Sequence, residues 1–117
     1  MKHLSAQQVE IEQRIRAHED NTAEQLATIR VLEEQWDDYR RVMRENTALF
    51  EQAGIAMGAD NYFVKKGLVA RREVDSYVGQ LANEQAELFE ETASSIRSSS
   101  EEELERMRRE KAGMSWA

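Results

Sequence analysis

The chain has 117 residues, a formal net charge of −7, 33% charged and 40% hydrophobic residues, and neither proline nor cysteine. That is room for one domain. Lack of cysteine excludes a disulfide scaffold and a thiolate metal site, and five glycines without proline leave too little turn chemistry for a many-stranded fold.

What remains is a helical composition rich in Glu, Gln, Ala, Arg and Leu. An acidic chain is repelled by phosphate backbones, so nucleic-acid binding is not expected. Residues 1–10 hold one lysine and no apolar core, so no secretory signal is expected there. No apolar run approaches membrane-spanning length, and the expected location is the cytoplasm or, alternatively, export by a route that reads folded helices.

The first predicted helix covers about residues 5–53. Counting in sevens from Ile15 gives Thr22, Ile29, Trp36, Met43 and Phe50. The companion series is His18, Gln25, Leu32, Tyr39, Asn46 and Ala53. From Ile29 to Phe50 this reads as a coiled-coil seam, widened by Val42 and Leu49. The pattern stops at residues 54–61, where Gly54 occupies the place of a helix-ending glycine. Asp60 or Asn61 can cap a new helix.

The second predicted helix covers about residues 62–97. Val64, Val78 and Gln85 share one seam position, and Val74, Leu81 and Leu88 the other. Phe63, Tyr77 and Phe89 widen that face. Ser98-Ser99-Ser100 then reads as a break, and Ser100 with Glu103 has capping-box spacing. Residues 98–117 are expected to be a charged helical or frayed tail.

The expected fold is all-α: a long antiparallel, coiled-coil-like helical hairpin forming a single domain. If the turn centres near Met57, facing residue numbers total roughly 115 at equal rise in both helices. Trp36 then meets Gly79, whose missing side chain would leave a hole for the indole, and Phe50 lies near Val64 and Leu68. The expected core is Ile29, Leu32, Trp36, Tyr39, Met43 and Phe50 with Val74, Val78, Gly79, Leu81 and Leu88. The polar seam residues His18, Thr22 and Gln25 are expected to weaken packing away from the turn. Other helices, from a second copy or another protein, would then complete the assembly.

No catalytic, cofactor-binding or metal site is expected. Tandem acids such as Glu33-Glu34 and Asp37-Asp38 belong on a solvated helix face, whereas acid–base chemistry needs two carboxyls in unlike environments. Gly54 and Gly58 match no phosphate-loop spacing, and consecutive residues around His18 do not converge on a metal. Lys65, Lys66, Arg71 and Arg72 form a basic cluster at the start of the second helix, opposed to its macrodipole. Two readings of that cluster stand: pairing across the hairpin with Glu45 and Glu51, or a docking patch for an acidic partner. Val42, Leu49, Ile55 and Val69 are candidate partner-binding residues on the wide apolar stripe. Trp116 is either a partner contact or an exposed terminus.

The segment Ile29 to Met43 with Trp36 and Tyr39, then Leu49-Phe50, then the Gly58-Ala59-Asp60-Asn61-Tyr62-Phe63 turn, resembles the small helical targeting factors of type VIIb secretion. These accompany LXG toxins and are similar in shape to WXG-type hairpins. The resemblance spans roughly residues 5–110 and rests on pattern more than on a strict motif. It implies a WXG-like hairpin and a non-enzymatic adaptor or targeting chaperone in a Gram-positive bacterium. Such a factor binds the helical N-terminal LXG domain of a toxin, alongside a second small helical factor, and accompanies its cargo to the secretion machinery. The chain departs from the WXG pattern: Trp36 is followed by Asp37 and Asp38, and at the export-motif spacing Tyr77 precedes Leu81 and Phe89 precedes Ala93. No export-signal residue is assigned. The alternative class is a structural homodimer, with two hairpins forming a four-helix bundle.

Overall fold

A computed structural model describes residues 5–58 and 60–114. Its fold is all-α, with α1 (Ala6–Gly58) and α2 (Tyr62–Ala112) forming a helical hairpin. Strong helix formers and the absence of proline allow both helices to run unbroken. At the start of α1, Ser5 Oγ accepts from the Gln8 amide (3.2 Å) and Gln8 Oε1 accepts from the Ser5 amide (2.9 Å). This reciprocal box satisfies two orphan donors.

The reversal lies later than the glycine pattern predicts. α1 continues through Gly54 and ends at Gly58, which holds φ at 111°. Gly54 is buried inside the helix, where its missing side chain lets α2 approach. A Cβ there would stand 3.0 Å from Val64 Cγ1. Gly58 ends the helix because a left-handed backbone is easy only for glycine. Asn61, not Asp60, caps α2: its Oδ1 accepts from the amides of Phe63 (2.8 Å) and Val64 (3.3 Å). The expected break at residues 98–100 is absent, and α2 runs on to Ala112.

The chain divides into two packing units. The terminal unit combines the described parts of Met1–Arg30 and Glu90–Ala117; the turn unit is Val31–Phe89. Each is an antiparallel pair of helix segments.

In the terminal unit, Ile11 (1% exposed), Ile29, Ala93, Leu104 and Met107 are buried. The Thr22 hydroxyl donates to the His18 carbonyl (2.9 Å), which leaves it to accept from Ser100 Oγ at 2.9 Å. Lys111 Nζ donates to Glu12 Oε1 at 2.7 Å, and Arg14 pairs with Glu110 at 3.4 Å. Of the polar seam, Thr22 is thus satisfied while the buried His18 Nε2 has no partner, and the segment expected to fray supplies Ser100, Leu104 and Met107 to the core. Ser100 is no helix cap, because its hydroxyl is engaged across the pair by Thr22.

In the turn unit, Phe50 Cζ lies 3.4 Å from where a Gly67 Cβ would be, and Leu68 packs beside Gly54. Arg71 Nε donates to Thr47 Oγ1 (3.0 Å) and Arg71 Nη2 to the Met43 carbonyl (3.4 Å). The residue numbers of the pairs Arg40–Asn83 and Glu51–Arg72 both total 123. That register sets Trp36 level with Glu87 and carries it past Gly79. The expected Trp36–Gly79 contact is not made, and nothing lies within 4 Å of a Cβ built on Gly79. The later turn is the cause, since each residue added to α1 before the reversal slides the facing residue along α2.

Candidate partner-binding face

Fifteen large hydrophobic residues are exposed among the described ones, and only Val9 belongs to the terminal unit. The other fourteen lie in the turn unit. Among the described residues its buried ones are few and small: Ala82 and Gly54. Of the expected core, Ile29 is buried, and Trp36, Met43, Val78, Gly79 and Leu81 are half-buried. Leu32, Tyr39, Phe50, Val74 and Leu88 are exposed, contrary to their expected core role. Two helices meet along a narrow line, so one flank of each wide apolar stripe stays uncovered.

Helix phase shows where those flanks point. In α1, Leu32, Tyr39, Phe50 and Met57 recur at steps of 7 and 11 residues, as do Val31, Val42 and Leu49. In α2, Phe63, Val74, Tyr77 and Leu88 recur at steps of 11, 3 and 11. Steps of 7 and 11 are close to whole numbers of turns, so each set forms one stripe. The seam residues are Trp36, Met43, Thr47 and Gly54 on α1, and Val64, Arg71, Val78 and Ala82 on α2. At 3.6 residues per turn, the two α1 sets precede their seam by roughly 50° and 130°, making a joint stripe centred about a quarter turn from it, and the α2 stripe precedes its seam by about a quarter turn in the same rotational sense. A two-fold axis perpendicular to an antiparallel pair maps one helix onto the other and preserves that sense. Both stripes therefore lie on one face of the turn unit.

Two concavities mark this face. One of about 380 Å³ lies beside the turn, lined by Phe50, Ala53, Gly54, Met57, Asn61, Phe63 and Val64. Another of about 270 Å³ is lined by Gln35, Trp36 and Tyr39. The Trp36 and Tyr39 rings meet edge to face, with centroids 6.0 Å apart at 87°, an orientation favoured by their quadrupoles. Phe63 is 80% and Met57 74% exposed.

The expected partner-binding residues separate into three groups. Val42 and Leu49 are exposed on the face. Ile55 and Val69 are exposed but fall outside the stripes in helix phase. The basic cluster is largely engaged within the hairpin. Arg71 bonds to Thr47 and Met43 and pairs with Asp75 at 3.7 Å; Arg72 pairs with Glu51 at 3.7 Å. Lys66 Nζ sits 5.6 Å from the Tyr62 ring centroid, a cation–π contact. Lys65 remains exposed, and Trp116 lies outside the described residues. The face gains Val31, Met57, Phe63, Val74 and Tyr77, which their 7- and 11-residue spacing would have grouped.

Among the described residues no cluster of His, Asp and Glu is placed to hold a metal ion, and no helix is long and apolar enough to cross a membrane. No protein-family model matches the chain, and no curated protein or solved structure shows significant similarity to it.

Proposed function

We propose that this chain is a non-enzymatic helical adaptor whose turn unit docks along the helices of a partner protein. The supporting observation is the one-sided apolar face running through Tyr39, Phe50 and Met57 of α1 and Phe63, Val74 and Tyr77 of α2. Single exposed hydrophobics are ordinary on a monomer, whereas a contiguous set marks an interaction surface. Partner helices laid against it would complete a bundle, with apolar knobs entering the two concavities. Fully burying a Leu or Phe side chain contributes about 1.5–3 kcal/mol, so a few anchors here would dominate the affinity.

The resemblance to type VIIb targeting factors supplies the partner: the helical N-terminal LXG domain of a toxin, joined by a second small helical factor. In this reading the adaptor covers the toxin's helices in the cytoplasm and accompanies it to the type VII machinery. Co-expression with an LXG-type domain encoded beside its gene tests this directly. Light scattering should show a 1:1 complex, or 1:1:1 with a second factor. Phe63→Asp combined with Tyr77→Asp should abolish it while helicity is retained. Failure of the unaltered chain to form that complex would overturn the toxin assignment.

A further inference from the structure

The charges flanking the apolar face specify the occupant's chemistry. Resting on the docking reading above, we infer that the partner of the turn unit is an amphipathic helical segment whose apolar stripe is bordered by Lys and Arg. At 3.6 residues per turn, the positions just outside the α1 stripe fall on Asp38 and Glu45. Those just outside the α2 stripe fall on Lys66, Glu73 and Glu84, and the remaining border positions, Ala56 on α1 and Tyr62 and Gln80 on α2, are uncharged. The four acids are all exposed. Asp38 pairs only along its own helix, with Arg41 at 3.4 Å on open surface, a contact of little energetic weight. The one lysine is drawn over Tyr62.

The basic side chains of this unit lie mostly elsewhere. Arg71 and Arg72 are engaged across the hairpin, and Arg40 reaches Asn83 at 3.5 Å. An apolar strip with an acidic border selects a partner with a basic border, because like charges set across an interface are penalised. The same rule disfavours a second copy. Its face would bring an identical acidic border, and each copy carries a net charge of −7.

Two synthetic amphipathic helices of about 28 residues, matching the α1 half of the unit in length, provide the probes. Both carry the same Leu and Ile stripe; one is bordered by Lys and Arg, the other by Glu. Binding to the full chain is followed by fluorescence anisotropy at low and high ionic strength. The basic-bordered peptide should bind about tenfold or more tighter at low salt, and the difference should shrink as salt screens it. Reversing the border with Asp38→Lys, Glu45→Lys, Glu73→Lys and Glu84→Lys should invert the preference. Reversing Glu33→Lys and Asp37→Lys, in the same unit but away from the face, should leave it unchanged. Circular dichroism confirms that each variant keeps its helices.

Equal binding of both peptides would overturn the charge inference and leave the docking face intact. Loss of preference in the off-face variant would also overturn it, because bulk charge would then be sufficient. Binding of neither peptide would overturn the docking face itself. A concentration-dependent dimer that excludes both peptides would make a second copy the occupant and overturn the inference.

Discussion

The two units are built from the same two helices and bury their apolar residues very differently. In the terminal unit Ile11, Leu104 and Met107 are closed over, and even Ser100 is buried with its hydroxyl engaged. In the turn unit Tyr39, Phe50, Phe63 and Tyr77 remain on the surface. Aromatic content therefore does not locate the core here. Small and medium residues seal the narrow seam of the terminal unit, while the large rings of the turn unit are too numerous for a two-helix contact. The contrast places the closed core in one region and the exposed apolar side chains in the other.

The largest expected effect comes from breaking the sealed side. Ile11→Ala should lower stability by about 2–4 kcal/mol, read as a fall in the thermal or urea midpoint. Tyr77→Ser, on the exposed face, should change stability by less than about 0.5 kcal/mol while weakening partner capture. Equal destabilisation by both would erase the distinction between the units.

The glycines sharpen the comparison within the turn unit. Gly54→Ala introduces a Cβ 3.0 Å from Val64 Cγ1. It should cost about 1 kcal/mol net, since steric crowding outweighs the gain in helix propensity. Gly79→Ala meets nothing within 4 Å and should stabilise by up to about 1 kcal/mol. Denaturant titrations of the pair should therefore move in opposite directions. Asn61→Ala removes the α2 cap and should cost about 1 kcal/mol by the same assay.

A smaller effect concerns pH. The hydrogen bond from Lys111 and then its charge hold the Glu12 carboxyl below its ordinary value against desolvation, with the Arg16 charge a lesser contributor. A depressed folded-state pKa gives stabilisation that is present above the ordinary carboxylate value and is lost as pH falls through the folded-state value. Lys111→Met should abolish that component of the acid-side stability loss in pH-dependent melts.

Much of the architecture is legible in the residues. Helix formers without proline predict two helices, Asp60 or Asn61 predicts the second cap, which the structure places on Asn61, and Ile29 predicts a core position. Val42 and Leu49 are correctly expected outside the seam. The turn is displaced because a glycine can end a helix or admit a neighbour, and local sequence does not distinguish Gly54 from Gly58. The packed segment after Ser98 escapes local reading because its hydroxyl partner, Thr22, is 78 residues away from Ser100. Heptad counting places Trp36 and Met43 toward the seam but misplaces Leu32 and Tyr39. A two-helix seam covers less of the helix circumference than the apolar stripe occupies.

The central claim is that the turn unit's face is open in the free chain and covered by a partner, while the terminal core is already closed. Because the chain contains no cysteine, single introduced thiols can report this without background. In the free protein, Leu49→Cys and Tyr77→Cys should react rapidly with a soluble thiol reagent, and Leu104→Cys should be protected. Adding an LXG-type helical domain should protect the first two and leave the third unchanged. Protection of Leu49→Cys and Tyr77→Cys in the free chain, or their continued reactivity in a stable complex, would contradict the account.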